Sequence, residues 1–179
     1  MHGGVLHSDA RHFVVIEAKM FSKLSKGVNN APYFNQAARS VACIAEVLCR
    51  ARRQVQEFKA LGFYVLAPES HPDHSLIKEH LTKASLGTVV EQRVKEYGDK
   101  DDVWFSKWFL PVLDRLDIRQ ISWEETNYFL ASRHPDADQL KEFYTRCLKV
   151  NRPPEKANKE LHRTISASGD DLAGQGSST

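Results

Sequence analysis

The chain has 179 residues, 25 Lys+Arg against 23 Asp+Glu and 41% hydrophobic residues, the size and balance of one globular domain. A formal net charge of +2 does not by itself announce nucleic-acid binding, and the three Cys at 43, 49 and 147 lack zinc-ligand spacing or the even count of a disulfide scaffold. No apolar run nears the roughly 18 residues of a membrane span and no signal peptide opens the chain, so an intracellular, cytoplasmic protein without membrane contact is the default expectation.

In chain order, Gly4-Val5-Leu6-His7 reads as a strand, 8–11 as a turn and 12–19 as a second, strongly apolar strand, together a β-hairpin. Residues 22–30 read as a polar loop. Asn30-Ala31-Pro32 has the composition of a helix start, and Phe34, Ala37, Ala38, Val41, Ala42, Ala45 and Leu48 keep the spacing of a buried stripe. A third strand is expected over 62–67, closed by Pro68. Helices are expected at about 72–84, 87–97 and 101–115, the last disturbed near Pro111. A short strand follows at 118–121, then the capping box Ser122-Trp123-Glu124-Glu125. A final helix is expected over 136–149, with Leu140, Phe143, Tyr144 and Leu148 inward. The order gives an α/β domain over 1–150 with a mixed sheet flanked by helices. The polar stretch 151–179 reads as a mostly disordered tail.

The chemistry-bearing feature is Glu17-Ala18-Lys19, at the end of Phe13-Val14-Val15-Ile16. Alternation along a strand puts Glu17 and Lys19 on one face. A carboxylate there can hold a divalent cation, and the lysine can orient a water or neutralise a phosphate. The tripeptide alone is uninformative: with 23 acidic residues and 13 lysines, chance gives about 1.7 such pairs, and Glu57-Phe58-Lys59 is another. Only Glu17 ends a buried strand, where an ionised pair is costly. The plain alternative is a same-face ion pair without further role.

The stretch 12–19, followed by Asn35-Gln36-Ala37-Ala38-Arg39 on the next helix, resembles the PD-(D/E)XK nuclease superfamily, with its restriction-endonuclease-like core. The resemblance covers roughly 3–133, and Ile118-Arg119-Gln120-Ile121 with the capped helix looks like its closing portion. It implies a Mg²⁺- or Mn²⁺-dependent hydrolysis of DNA phosphodiesters. Glu17 would bind the metal, Lys19 would serve the water or phosphate, and Gln36 would position them. Lys23, Lys26 and Arg39 are the expected phosphate contacts on DNA, with Arg50, Arg52 and Arg53 as further basic candidates.

One departure stands out. The family carries an earlier Asp on the preceding strand, and Asp9 lies in the hairpin turn, roughly 25 Å from Glu17 along the strand. If the hairpin pairs about that turn, the required position falls at His2, Gly3 or Gly4, where no carboxylate stands. The core therefore reads as N-terminally truncated, either a shortened product or a degenerate copy. The alternative function is a non-catalytic nucleic-acid- or protein-binding module on the same fold. Pro72-Asp73 and Pro135-Asp136 come after Glu17 and read as helix starts. His71-Pro72-Asp73-His74 is better explained the same way than as a metal cluster. Cys43 and Cys49 are expected to be buried, and Trp104, Phe105, Trp108 and Phe109 to be core.

Overall fold

The computed structural model describes residues 6–24, 31–98 and 102–151. Phe13 and Val15 point one way along β1 (His12–Ala18) and Val14 and Ile16 the other, the period-two pattern of a strand. The chain continues through α1 (Gln36–Ala51), a 3₁₀ turn (Val55–Glu57) and β2 (Ala60–Ala67). Next come α2 (His74–His80), α3 (Lys83–Glu96), α4 (Asp102–Trp104), a π-helical turn (Phe105–Phe109) and α5 (Leu110–Arg115). β3 (Asp117–Ser122), α6 (Trp123–Leu130) and α7 (Ala137–Val150) complete it. The fold is α/β.

The sheet order is β1-β2-β3, and both pairings are parallel. The mixed sheet expected from the sequence is thus replaced, among the described residues, by a parallel one. Gly4 and Val5 of the expected first strand lie outside them, and Leu6 and His7 are not strand. The 7–10 turn itself is present, closed by Ala10 N–H donating to His7 O at 3.1 Å. Its carbonyls are taken by a side chain: the Arg53 guanidinium donates to Ser8 O at 2.7 Å and Ala10 O at 3.1 Å. Arg53 also pairs with Glu57 at 2.5 Å and lies over the Phe58 ring. This clamp fixes where β1 begins.

Parallel neighbours need a crossover, and α1 supplies the first one. It starts five residues later than Asn30 suggests, because Asn35 is the cap: its side-chain oxygen accepts Ala38 N–H at 3.0 Å. Ala31 to Phe34 form a turn instead, with Phe34 N–H on Ala31 O at 3.1 Å. The α1 stripe is Ala37, Ala38, Val41, Ile44, Ala45 and Leu48. It packs with Leu61, Phe63 and Val65 of β2, and with Leu86, Val90, Phe109, Val112 and Leu116, in one core. Within that core the backbone of α1 comes closest to α3 and the π-helical turn. Thr82 caps α3 by accepting Ser85 N–H, which splits the expected 72–84 and 87–97 helices at 81–82 instead. Pro111 has no N–H to give, and the helix answers with the π turn just before it, where Leu110 N–H reaches Phe105 O. Of the aromatic stripe expected in the core, Phe109 is fully buried and stacked on Trp104 and Phe105, which with Trp108 are partly buried against the core.

Three side chains depart from expectation. Phe143 faces solvent (58% exposed), because α7 packs on α6 chiefly through Tyr144, which stacks on Trp123. Cys43 is exposed and Cys49 half-buried, since both lie off the stripe that α1 turns to the core. Residues 152–179 lie outside the described residues.

The opposite face of the sheet is exposed at β1, with Val14 at 41% and Ile16 at 58%. On that face Tyr64 folds back over Gly62, whose register partner is Asp117, and its hydroxyl donates to Asp117 at 2.9 Å. A Cβ on Gly62 would lie 2.9 Å from the Tyr64 ring, so only glycine admits this path. Gly62→Ala is expected to cost about 1 kcal/mol, the size of the displaced hydrogen bond. Tyr64→Phe should cost the same and the two should not add, which urea unfolding of the single and double variants checks. The Arg119 guanidinium, and then the Tyr64 hydroxyl, hold the Asp117 carboxyl below its ordinary value. A depressed folded value stabilises above the unfolded one, about 3.9, and is lost as pH falls through it. The melting-temperature gap between wild type and Asp117→Asn should therefore shrink from about pH 5 to about pH 2.

Candidate functional site

The three residues singled out by the sequence meet in space. Glu17 is the last inward-facing residue of β1, on the face shared by Phe13 and Val15. Lys19 N–H donates to Leu66 O at 2.7 Å, so the ladder runs one step past the strand and Lys19 keeps to the same face. Its Nζ lies 2.9 Å from Glu17 Oε1 and donates to Gln36 Oε1 at 2.8 Å. Gln36 is there because Asn35 caps α1 and so makes it the first helical residue.

Burial makes this contact consequential. The Lys19 side chain is 9% exposed and that of Glu17 25%. At an effective dielectric of 20 the gross attraction is on the order of 5 kcal/mol, and desolvating the ammonium takes much of it back. The pair is therefore a weak source of net stability but costly to break singly, since Lys19 would be left buried without its counter-charge.

Two contacts that the sequence does not signal hold the segment after β1. The Trp123 indole N–H donates to Lys19 O at 3.1 Å, tying β1 to the start of α6. His71 is 3% exposed; its Nδ1 accepts Asp73 N–H at 3.1 Å, which leaves Nε2–H to donate to Ser22 O at 3.2 Å. Both ring nitrogens are thus spent on backbone, in keeping with a helix start rather than a metal cluster. Beyond β2 and β3, Ser122 donates to Glu69 at 3.2 Å and accepts Glu125 N–H at 2.9 Å, while Glu125 Oε2 accepts Ser122 N–H at 2.9 Å. The capping box is formed as written. Tyr144 donates to Glu124 at 2.5 Å, and burial, followed by that carboxylate, holds its phenol well above its ordinary value. The carboxyl ends of all three strands therefore carry polar side chains, the usual position for ligands on an open parallel sheet.

Of the expected phosphate contacts, Lys23 is exposed, with Nζ 4.0 Å from Asp73. Lys26 lies outside the described residues. Arg39 sits one turn beyond Gln36 and lines a groove of about 310 Å³ between β1 and α1, with Phe13, Val15 and Cys43. Arg50 is paired with Glu46 at 2.6 Å and Arg53 is the turn clamp, so these two serve the fold. Asp9 is in the turn before β1, paired with His7, at the far end of the strand from Glu17. Asp73 and Asp136 stand at the N-cap positions of α2 and α7, as helix starts.

Glu17 is the one carboxylate of the cluster. Among the described residues no three His, Cys, Asp or Glu side chains gather as a metal-ligand group. Mg²⁺ commonly takes one or two carboxylates and fills its shell with water and substrate phosphate. The described side chains of the cluster therefore offer a cation at most one carboxylate, which is paired with Lys19.

No family model, curated protein or solved structure matches the chain. Among the described residues no helix is long and apolar enough to cross a membrane.

Because Lys19 is nearly buried, Glu17→Ala is expected to destabilise by about 1–3 kcal/mol. Glu17→Ala combined with Lys19→Met should recover most of that loss, giving a coupling of at least about 1 kcal/mol in urea unfolding. Strict additivity would mean that the pair is not a unit.

Proposed function

We propose that the chain is a nuclease-like protein on a restriction-endonuclease-like core, engaging DNA phosphodiesters at Glu17, Lys19 and Gln36 and hydrolysing them with Mg²⁺ or Mn²⁺. The observation that carries this reading is the Lys19 ammonium, bracketed by Glu17 and Gln36 at the carboxyl end of a parallel strand. An ammonium has three donors; two are directed to these partners, and the third is available to a phosphate oxygen. Gln36 and Glu17 fix the direction of that third donor, so charge neutralisation is preorganised rather than found by a mobile side chain. The ion would supply Lewis-acid stabilisation and an activated water, with Glu17 as the protein's share of its ligands. Lys23, four residues after Lys19, and Arg39, three after Gln36, would take neighbouring phosphates, as would Lys26.

A second reading has its own support. The described residues gather a single carboxylate at the cluster, and it is already paired with Lys19. On that reading the protein binds nucleic acid or a protein partner without cutting.

Cleavage of a labelled duplex with Mn²⁺, run beside fluorescence anisotropy of the same duplex, separates the two. The nuclease reading expects cutting that falls about 100-fold or more in Lys19→Ala and Glu17→Gln, with a smaller loss of binding. Salt dependence of binding should weaken by about one unit of slope in Arg39→Ala. Binding without cutting selects the second reading, and neither binding nor cutting contradicts the DNA reading.

A further inference from the structure

A parallel sheet is ordinarily covered on both faces, and this one is open at β1 on a face and along an edge. Lys19 N–H reaches Leu66 O, and Arg11 O accepts Lys59 N–H at 2.7 Å, so the odd-numbered residues of β1 bond to β2. The N–H and C=O groups of His12, Val14, Ile16 and Ala18 therefore point to the outer edge, and among the described residues no strand pairs with them. The same four residues put their side chains on the uncovered face, where Val14 and Ile16 are exposed. Among them is no Lys, Asp, Glu or Pro, the residues that keep a strand edge from pairing.

The core-facing side of this edge is open as well. Phe13 and Val15 line a groove of about 310 Å³ with Cys43, Ile44 and Val47 of α1. Only an extended segment meets alternate amides and carbonyls in a row, and here it must carry apolar side chains toward both faces. β1 itself has that pattern. Its seven residues span about 23 Å and the 16 of α1 about 24 Å, so strand edge and helix flank form one face of equal length. At a depth of about 20 Å for a helix layered on a strand, a second copy covers about 500 Å² on each partner, about 1,000 Å² in all, where specific interfaces begin.

We propose that β1 pairs antiparallel with β1 of a second copy, about a two-fold axis through Val14, joining the two three-stranded sheets into one. The side chains choose that axis. It sets Phe13 opposite the partner's Val15 and Glu17 opposite the partner's Arg11, an aromatic–aliphatic pair and an opposite-charge pair, each made twice. An axis through Val15 sets Phe13 against the partner's Glu17 instead. Arg11 is exposed and continues the ladder of β1, and its guanidinium rests on Glu57 O at 3.1 Å, a carbonyl that leaves its charge for a carboxylate. On the uncovered face Val14 meets its own counterpart, and Ile16 meets the partner's His12. Cys43, exposed and lining the groove with Val15, comes beside its counterpart across the axis. Lys19 lies past the paired residues, so this interface does not rest on the DNA reading.

Sedimentation velocity of the full chain in a concentration series, without DNA or divalent ions, tests the proposal. The expected result is a dimer forming at about 10–100 μM, the range of a small interface. Val14→Lys sets two ammonium groups opposite each other and should weaken dimerisation about 100-fold or more. The melting temperature of the dilute protein should hardly change, since Val14 is exposed in the single chain. Val14→Glu should act alike, and an equimolar mixture of the Lys and Glu variants should restore the dimer. In a chain whose remaining cysteine is Cys43 (Cys49→Ser, Cys147→Ser), a short bis-maleimide should link two copies, and adding Val14→Lys should abolish the link. A full chain that is monomeric at every concentration, a dimer that Val14→Lys leaves intact, or a Lys–Glu mixture that stays monomeric overturns the proposal. A chain that dimerises only once residues 1–5 are removed assigns the edge to its own amino-terminal residues and overturns it as well.

Discussion

A nearly buried ammonium constrains the carboxyl end of β1. Lys19 keeps to the core-facing side because its N–H extends the ladder onto Leu66, and that side leaves the charge only 9% exposed to solvent. The structure answers with one carboxylate from the same strand and one carboxamide from the first turn of α1. Each element is therefore fixed with respect to the other by chemistry as well as by packing. The Asn35 cap decides which residue of α1 comes first, and the Arg53 clamp decides where β1 starts. Had either slipped by one residue, Gln36 or Glu17 would face elsewhere.

The consequences reach the other strands. Trp123 closes on Lys19 O from the start of α6, and His71 closes on Ser22 O from the turn before α2. The chain leaving β1 is thus held by elements more than 45 residues away in sequence. Among the described residues the helical core packs against one face of the sheet, leaving the carboxyl edge and a crevice between β3 and α2 as places where polar groups gather. Glu17, Val65 and Gln120, register partners across the three strands, join them.

Much of this was legible in the residues, because it rests on local rules. The period-two pattern of 12–19, the apolar stripe of α1, the Ser122–Glu125 capping box and the core character of Phe109 each depend on neighbours in sequence. So does the Glu17–Lys19 face, whereas Gln36 came only through the nuclease resemblance, with the helix expected to open at Asn30 rather than at Gln36. What escaped depends on partners far along the chain. Arg53 read as a basic candidate for phosphate contact but holds the carbonyls of the 7–10 turn. Asn30-Ala31-Pro32 has the composition of a helix start and loses to Asn35, whose side chain reaches an amide. Phe143 carries the inward period of α7, yet α6 covers only the Tyr144 side. Nothing about Gln120 in sequence distinguishes it from an ordinary polar strand residue. That its amide has no hydrogen-bond partner among the described residues depends on how β3 and its neighbours pack.

The account stands most directly on whether the Lys19 ammonium meets a phosphate. Lysine side-chain methylene signals, assigned by Lys19→Arg and followed while a short DNA duplex is titrated in without divalent ions, report that contact. The expected result is a shift of the Lys19 signal that saturates with duplex and is reversed by added salt, ahead of lysines on distant helices such as Lys95 and Lys141. A Lys19 signal that stays in place while those distant lysines shift would contradict the account.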